Sequence, residues 1–267
     1  MRSTRRPTPV TELGTILSIW AHPDDESYLA AGVMAAARDN GQRVVCVSAT
    51  AGELGTDDPN AWPPTRLGQL RRWEARAAMA VLGVHEHHVL GYPDGTLDRH
   101  DASGIARIVA LIDEVDPDTI LTFGPDGMTF HSDHIAVHHW VRAAWERRGA
   151  DARLLLAAVS DEYLDRYRDL FEAWGIYMTD ERPVGVPSER LAVHQRLSGP
   201  MLDRKVAALR AMASQTAGVI AELGVEAYAA QNADEYFIDA PRPVDPSYGS
   251  MITGSPVRMV PGSRTQA

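Results

Sequence analysis

The chain has 267 residues, of which 45% are hydrophobic and 23% are charged, as expected for a soluble protein of one large or two small α/β domains. Its formal net charge of −10 argues against a polyanionic partner, so nucleic acid is not an expected ligand. Cys46 is the single cysteine, which excludes a disulfide within the chain and a cysteine-based zinc site. Any metal ion must therefore be held by His, Asp and Glu.

The two ends of the chain differ in composition from its middle. Residues 1–13 form a polar, basic arm with no apolar segment of signal-peptide length behind it. No stretch approaches the ~20 apolar residues of a transmembrane helix. We therefore expect a cytoplasmic protein without membrane insertion. It should form one domain over residues 14–240, with an irregular or disordered tail at 241–267.

The first fifty residues predict a βαβ unit. An apolar run at 15–20 indicates a buried strand, and Leu29, Val33 and Ala37 then recur at helical spacing until Gly41 ends the pattern. A valine-rich run at 43–49 indicates a second strand. A strand, a helix and a strand in this order should place the two strands parallel.

The same alternation continues along the chain. The remaining predicted strands lie at 85–90, 119–123, 153–159 and 191–194. The clearest further helices lie at 65–82, 105–115 and 200–213, and another helix ends near 147. This order predicts an α/β fold with a mainly parallel sheet and helices on both faces. Polar clusters follow the first four strands, so these loops should converge on one edge of the sheet.

The first of these clusters is His22-Pro23-Asp24-Asp25-Glu26, directly after the first strand. It places one imidazole and three carboxylates in a strand-to-helix loop, at the edge where α/β sheets bind ligands. The end of a buried strand has no structural need for such a charge density. A metal cation would account for it, because oxygen and imidazole groups are its usual ligands.

The second cluster, His131, Asp133 and His134, follows the fourth predicted strand. Strands one and four can be neighbours at the switch point of a doubly wound sheet, so the two clusters can meet in one crevice. A catalytic zinc site needs about three protein ligands and an open position. Two histidines and one aspartate as ligands leave one aspartate as base and one histidine to stabilise charge. This inventory fits metal-assisted hydrolysis.

Together the two clusters resemble those of the zinc-dependent N-acetylglucosaminyl deacetylases related to LmbE and PIG-L, a family that includes the deacetylase and the amidase of mycothiol metabolism. Further matching pieces are Gly52-Glu53, the segment 71–74, the segment 90–94 and Lys205. The resemblance spans about residues 15–215. It implies a Rossmann-like α/β domain and a hydrolase acting on the amide bond of a small N-acetylated amino sugar.

The resemblance also assigns the metal and the proton transfers. His22, Asp25 and His134 would hold one zinc ion per chain, with Fe2+ as the alternative metal. Asp24 would be the general base. His131 would face the developing oxyanion or protonate the leaving amine.

The remaining implied roles concern the surroundings of the metal. Asp133 would orient the catalytic histidine two residues before it by a hydrogen bond. Arg71, Asp94 and Glu53 would contact hydroxyl groups of the substrate. Thr129 is a further candidate for substrate binding, at a position where some sugar deacetylases of the family carry a Tyr that helps to polarise the carbonyl. Threonine is too short to act by the same route, so the identity of the substrate is left open.

Other functions remain as alternatives. One is an amidase of the mycothiol-conjugate type that cleaves a non-acetyl amide. Another is a Mg2+-dependent phosphoester hydrolase, against which the two histidine ligands argue. A third is a non-catalytic sugar-binding Rossmann module, although no Gly-x-Gly-x-x-Gly turn follows the first strand. Assembly into a homo-oligomer is also left open.

Overall fold

The computed structural model of the chain describes residues 7–242. Most of the predicted N-terminal arm (residues 1–6) and nearly all of the predicted tail (residues 243–267) lie outside this range. The described strands are β1 (Ile16–Trp20), β2 (Val44–Ser48), β3 (Glu86–Val89), β4 (Thr119–Thr122), β5 (Arg153–Ala158), β6 (Val193–Arg196) and β7 (Asp234–Asp239). The described helices are α1 (Asp25–Leu29), α2 (Ala31–Asp39), α3 (Pro64–Leu82), α4 (Ala102–Val115), α5 (Ser132–Arg147), α6 (Asp161–Trp174), α7 (Gly199–Ala211), α8 (Ala213–Leu223) and α9 (Val225–Gln231).

The strands form one sheet in the order β3-β2-β1-β4-β5-β7-β6. Strands β1 to β5 are parallel, whereas β7 runs antiparallel to both β5 and β6. The chain winds outward from β1 through β2 to β3 and then returns to β4 beside β1. The predicted switch point therefore lies between β1 and β4, and the mainly parallel sheet is confirmed.

The helices pack in two groups, α2 with α3 and α7, and α4 with α5. This is expected when the crossovers on the two sides of a switch point cover opposite faces of a sheet. Gly104 of α4 lies directly against the indole ring of Trp140 in α5, where a Cβ atom would overlap the ring. The fully buried Trp140 in turn donates a hydrogen bond to Asp98 O at 2.7 Å. Close packing of α4 on α5 thus depends on a glycine at this position.

Local signals placed most element boundaries correctly. Helix α3 begins at Pro64 and ends before Gly83, whose φ of 76° is the left-handed conformation that glycine adopts most easily. Helix α4 begins after Asp101, whose side chain accepts a hydrogen bond from Ser103 N. The continuous valine-rich runs are strands buried on both faces, as in other parallel sheets.

Several elements differ from the prediction, since α8 and α9 were not predicted and three others depart from it as follows. The first helix is broken at Ala30, so that a short α1 carries the acidic residues and α2 carries the apolar stripe. Strand β6 begins two residues later than predicted. Strand β7 was not predicted, because its first residues Asp234 and Glu235 conceal the apolar run behind them. The buried carboxylate of Glu235 is paired with Lys205 of α7.

Within residues 7–242, no helix is both long enough and apolar enough to cross a membrane.

Candidate active site

Both predicted clusters lie at the C-terminal edge of the parallel strands, on either side of the switch point. His22 and Asp24 lie in the loop between β1 and α1, and Asp25 is the first residue of α1. His131 is the N-terminal capping residue of α5, and His134 lies in the first turn of that helix. The pairing of β1 with β4 therefore brings together side chains that are more than a hundred residues apart in the chain.

The three predicted metal ligands converge within this crevice. His22 Nδ1 lies 3.1 Å from His134 Nε2, and the Asp25 carboxylate lies 3.3 Å from His134 Nε2 and 3.7 Å from His22 Nδ1. Ligand atoms around a tetrahedral zinc ion, at about 2.0–2.2 Å from it, are about 3.3–3.6 Å from one another. The three residues therefore have the spacing of a metal site.

The far sides of the two imidazole rings are held in place. His134 Nδ1 lies 2.9 Å from Gly127 O, so its proton is on Nδ1 and its Nε2 lone pair faces the crevice. His22 Nε2 lies 3.0 Å from Asp94 Oδ1 and 3.4 Å from Asp133 Oδ2, although neither contact has the alignment of a full hydrogen bond. These carboxylates favour a proton on Nε2, which leaves His22 Nδ1 to face the crevice.

Two other groupings of possible ligands lie close by, and both include His22. In one, His131 takes part with His22 and His134, and in the other His22 Nε2 meets Asp94 and Asp133. Asp94 already accepts a hydrogen bond from Leu54 N, and Asp133 accepts two from the loop after β3. Both carboxylates face Nε2 of His22, on the opposite side of the ring from His134 and Asp25. The contacts favour the Nδ1 side of His22 as the metal site.

The electrostatics of the two histidines also suit a cation. Burial lowers the pKa of His134 to about 3, which keeps this ring neutral. Burial also lowers the pKa of His22, but Asp133 and Asp94 outweigh it and raise the value to about 10. A proton on His22 Nδ1 thus points at His134 Nε2 across 3.1 Å. A metal ion would replace that proton between the two nitrogens.

Asp24 has a strained backbone, with φ of 129° and ψ of −31°. A non-glycine residue in this region of the Ramachandran plot is uncommon, and such strain is concentrated at functional sites. The Asp24 N–H donates to Glu26 Oε2 at 3.2 Å, and Asp24 Oδ2 accepts from Arg71 Nη2 at 3.0 Å. Burial raises the pKa of Asp24 to about 6, although the positive charge of Arg71 acts in the opposite direction. Glu26 thus supports the backbone of Asp24.

Arg71 supports the site, and its contacts do not favour the predicted role in substrate binding. Its side chain is only 4% exposed and donates to Gly52 O and Pro23 O, each at 2.6 Å, besides its ion pair with Asp24. A Cβ atom on Gly52 would overlap the guanidinium group, and the φ of 62° there also favours glycine. The guanidinium group is therefore used inside the protein, where it joins the loops after β1 and β2.

The contacts of two other predicted site residues differ from the expected ones. Asp94 was predicted to contact a substrate hydroxyl, but one of its oxygens accepts from Leu54 N and the other lies against His22. Asp133 was predicted to orient His131 with its carboxylate. Its carboxylate instead accepts from Gly95 N at 2.8 Å, and the contact with His131 is made by its backbone N–H, which donates to Nδ1 at 3.1 Å.

Glu53 and Thr129 lie on two sides of the crevice. Glu53 Oε1 accepts from Asp94 N, whereas within the described part of the chain Oε2 is buried without a hydrogen-bond partner. Thr129 Oγ1 lies 3.5 Å from His134 Nδ1, in a loop where Met128 and Phe130 both have positive φ. Sequence reasoning missed the Gly127 carbonyl that orients His134, since a backbone group leaves no signal in residue types.

The chain has relatives whose names describe deacetylases. The profile of the PIG-L family, described as GlcNAc-PI de-N-acetylase, matches residues 17–145. A 1D-myo-inositol 2-acetamido-2-deoxy-alpha-D-glucopyranoside deacetylase of Saccharomonospora viridis is 32% identical over 174 residues, which cover 57% of this chain and 65% of that protein. A protein of the same name from Acidothermus cellulolyticus is 32% identical over 241 residues, covering 76% of this chain and 80% of the relative.

Solved structures share the fold. The N,N'-diacetylchitobiose deacetylase from Pyrococcus horikoshii superposes with a TM-score of 0.59 over 87% of this chain and 86% of that one, at 21% sequence identity.

Proposed function

The chain belongs to the PIG-L family, and on that premise we propose that it is a metal-dependent amidohydrolase that removes an acetyl group from an N-acetylated amino sugar. The observation that carries the proposal is the convergence of His22, Asp25 and His134, with the strained Asp24 beside them. The names of the relatives support the substrate class, since they describe deacetylases of an acetamido sugar.

We propose that His22 Nδ1, His134 Nε2 and the Asp25 carboxylate hold one zinc ion, and the spacing of these atoms supports this assignment. A bound zinc ion supplies Lewis acidity and lowers the pKa of a coordinated water to about 7. The two histidines argue against Mg2+, which prefers oxygen ligands, and thereby against a phosphoester hydrolase. Asp94, Asp133 and Gly127 hold the two rings by their outer nitrogens.

Asp24 is proposed as the general base. A carboxyl group with a pKa of about 6 is ionised at neutral pH, yet basic enough to take a proton from the attacking water. It can return that proton to the leaving amine as the amide C–N bond breaks. Arg71 fixes the carboxylate by its ion pair, and the hydrogen bond from Arg71 to Pro23 O fixes the backbone next to it.

His131 is proposed to stabilise the oxyanion that forms on the amide carbonyl. Its Nδ1 accepts the Asp133 N–H, so the neutral ring carries its proton on Nε2, where it can donate. Burial lowers the pKa of His131, and the nearby His134 and His22 lower it further, which favours this neutral form. Glu53 Oε2 and Thr129 Oγ1 remain as proposed substrate contacts.

The decisive experiment combines metal analysis with cleavage of N-acetylglucosaminides. We expect about one zinc ion per chain, release of a primary amine, and loss of this activity on treatment with a chelator. Asp24→Asn should keep the metal but lose activity by about 10²- to 10⁴-fold, the usual contribution of a positioned acid or base. Asp57→Asn, at an exposed residue of the loop after β2, is the matched control and should keep full activity.

Each part of the proposal can fail separately. A protein that cleaves amides equally well without metal would refute the metal-dependent mechanism. Full activity of Asp24→Asn would exclude Asp24 as the base while leaving the metal site standing. If no acetamido sugar is cleaved by the zinc-loaded protein, the proposed reaction is wrong.

A further inference from the structure

A cavity of about 320 Å³ lies beside the candidate active site. Its walls come from α1, the loop that precedes α5, and elements beyond β5 that carry none of the predicted catalytic residues. Small-molecule sites usually have volumes of about 300–1,000 Å³ and mainly apolar walls. Most of its surface is aromatic or aliphatic, and the aromatic residues include Tyr163, Phe171, Trp174, Tyr177, Tyr228 and Tyr236.

The polar groups in these walls are largely engaged with other protein groups. Tyr228 Oη donates to Tyr28 Oη at 2.9 Å, and Tyr163 Oη donates to Gln231 O at 3.1 Å. The Glu235 carboxylate is taken up by Lys205 and by the N–H groups at the start of α2. Asp234 is bound by His194 and Arg196. The cavity therefore offers few free partners to a polyhydroxylated ligand.

The cavity adjoins the residues proposed to act in hydrolysis. Tyr28 lines it and lies on α1, three residues after Asp25. Thr129 also lines it, and its Oγ1 lies 3.5 Å from His134 Nδ1. A substrate with its amide at the metal site would therefore have the cavity within reach of one of its substituents.

We propose that the cavity binds an apolar alkyl or aryl group that the amino-sugar substrate carries, an inference that rests on the proposed function. A methyl group is about as large as a water molecule, whose share of liquid volume is about 30 Å³, so an acetyl group alone would leave most of the cavity empty. An inositol ring, as in the names of the relatives, would place hydroxyl groups against walls with few free partners, which is unfavourable. The substrate of this chain thus carries an apolar substituent that the inositol-linked acetamido sugar in the relatives' names lacks.

Two series of substrates show where the apolar group is attached. In the first, the acetyl group is constant and the glycosidic group is methyl, n-hexyl or phenyl. In the second, the methyl glycoside is constant and the acyl group grows from acetyl to hexanoyl. We expect kcat/KM to rise by about three- to fourfold for each methylene buried, in one series only, until the cavity is full. A flat profile in both series would overturn the proposal.

A cavity-filling variant ties the effect to this place. Val159→Trp would put an indole into the cavity, and the preference for hexyl over methyl substrates should fall toward one. Val184→Trp makes the same exchange at a side chain that is 86% exposed, and it should keep the preference of the parent protein. An unchanged preference in Val159→Trp would contradict the assignment of the cavity.

Binding without turnover separates this proposal from the proposed function. n-Hexyl glucoside has no amide, and its binding can be measured by isothermal titration calorimetry, with methyl glucoside as the control. Hexyl binding that Val159→Trp abolishes would support the cavity even if no amide were cleaved. No hexyl binding by a protein that cleaves the methyl glycoside of N-acetylglucosamine would overturn the cavity proposal and leave the hydrolase standing.

Discussion

At the level of single residues, the polar side chains around the crevice divide into an inner and an outer set. His22, Asp25 and His134, the proposed metal ligands, converge on one point, whereas Asp94 and Asp133 face the outer nitrogen of His22. Outer contacts of this kind fix the orientation of a histidine ligand and are worth about 10- to 100-fold in metal affinity or activity.

Arg71→Ala tests whether this arginine positions the base or binds the substrate. We expect kcat to fall by about 10²-fold with little change in KM, because the variant releases Asp24 from its held geometry. Arg72→Ala on the same helix removes an equal charge from the neighbouring position and is the control. A rise in KM at unchanged kcat would instead support the substrate contact predicted from the sequence.

At the scale of elements, the site depends on how α5 is set against the end of β4. His138, one turn after His134, is fully buried, and its Nδ1 lies 2.9 Å from Phe123 O just beyond β4. The ring of Phe123 stacks on the ring of His134 with centroids 4.2 Å apart. His138 thus helps to place the helix that carries a proposed metal ligand.

His138 should also make stability depend on pH. Burial lowers its pKa to about 4, whereas the unfolded chain has the ordinary value of 6.5. Between these values the unfolded state binds the additional proton, so the free energy of unfolding should fall as the pH drops from 6.5 to 4. His138 should account for about 3 kcal/mol of this loss of unfolding free energy.

Urea unfolding of chelator-treated protein at several pH values measures this share. His138→Gln should show a shallower fall of the unfolding free energy than the parent protein, while the exposed His100→Gln should show the same fall. Equal pH profiles for His138→Gln and the parent protein would contradict the prediction.

At the scale of the whole molecule, a buried ion pair joins the C-terminal elements to the site. Lys205 Nζ on α7 lies 2.8 Å from Glu235 Oε1 on β7. It also donates to Tyr28 O of α1, the helix that begins at Asp25. The Glu235 carboxylate also accepts from Gly32 N and Val33 N at the start of α2. The antiparallel end of the sheet is thereby linked to the first βαβ unit.

Breaking this pair should be costly. Lys205→Met leaves a buried carboxylate without its cation and should lower the free energy of unfolding by about 3–5 kcal/mol. Arg43→Met breaks the exposed pair with Glu86 and should cost no more than about 1 kcal/mol. Urea unfolding measures both, and the double variant Lys205→Met, Glu235→Gln should lose less than the sum of its single variants. Additive losses would show that the two residues do not act as a pair.

The sequence by itself determined the parallel core of the sheet and the types of group at its edge. Apolar runs, helical spacing and end signals such as Gly83 and Asp101 are local, and they placed β1 to β5 and α3 to α5. The density of His and Asp after β1 and β4 indicated a metal ion, because no local structure requires so many charged side chains at the ends of buried strands. These signals depend on neighbours in the chain, so no tertiary contact was needed to recognise them.

The tertiary structure alone decided what each polar side chain faces. Arg71, Asp94 and Asp133 have the residue types of substrate or catalytic contacts, and only the packing of α3, α5 and the loop after β3 shows that they face Asp24 and His22. Strand β7 and the aromatic cavity were likewise revealed only by the tertiary structure, since the walls of the cavity come from segments far apart in the chain. Residue type limits what a group can bind, but the direction of its side chain is set by contacts that the sequence does not reveal.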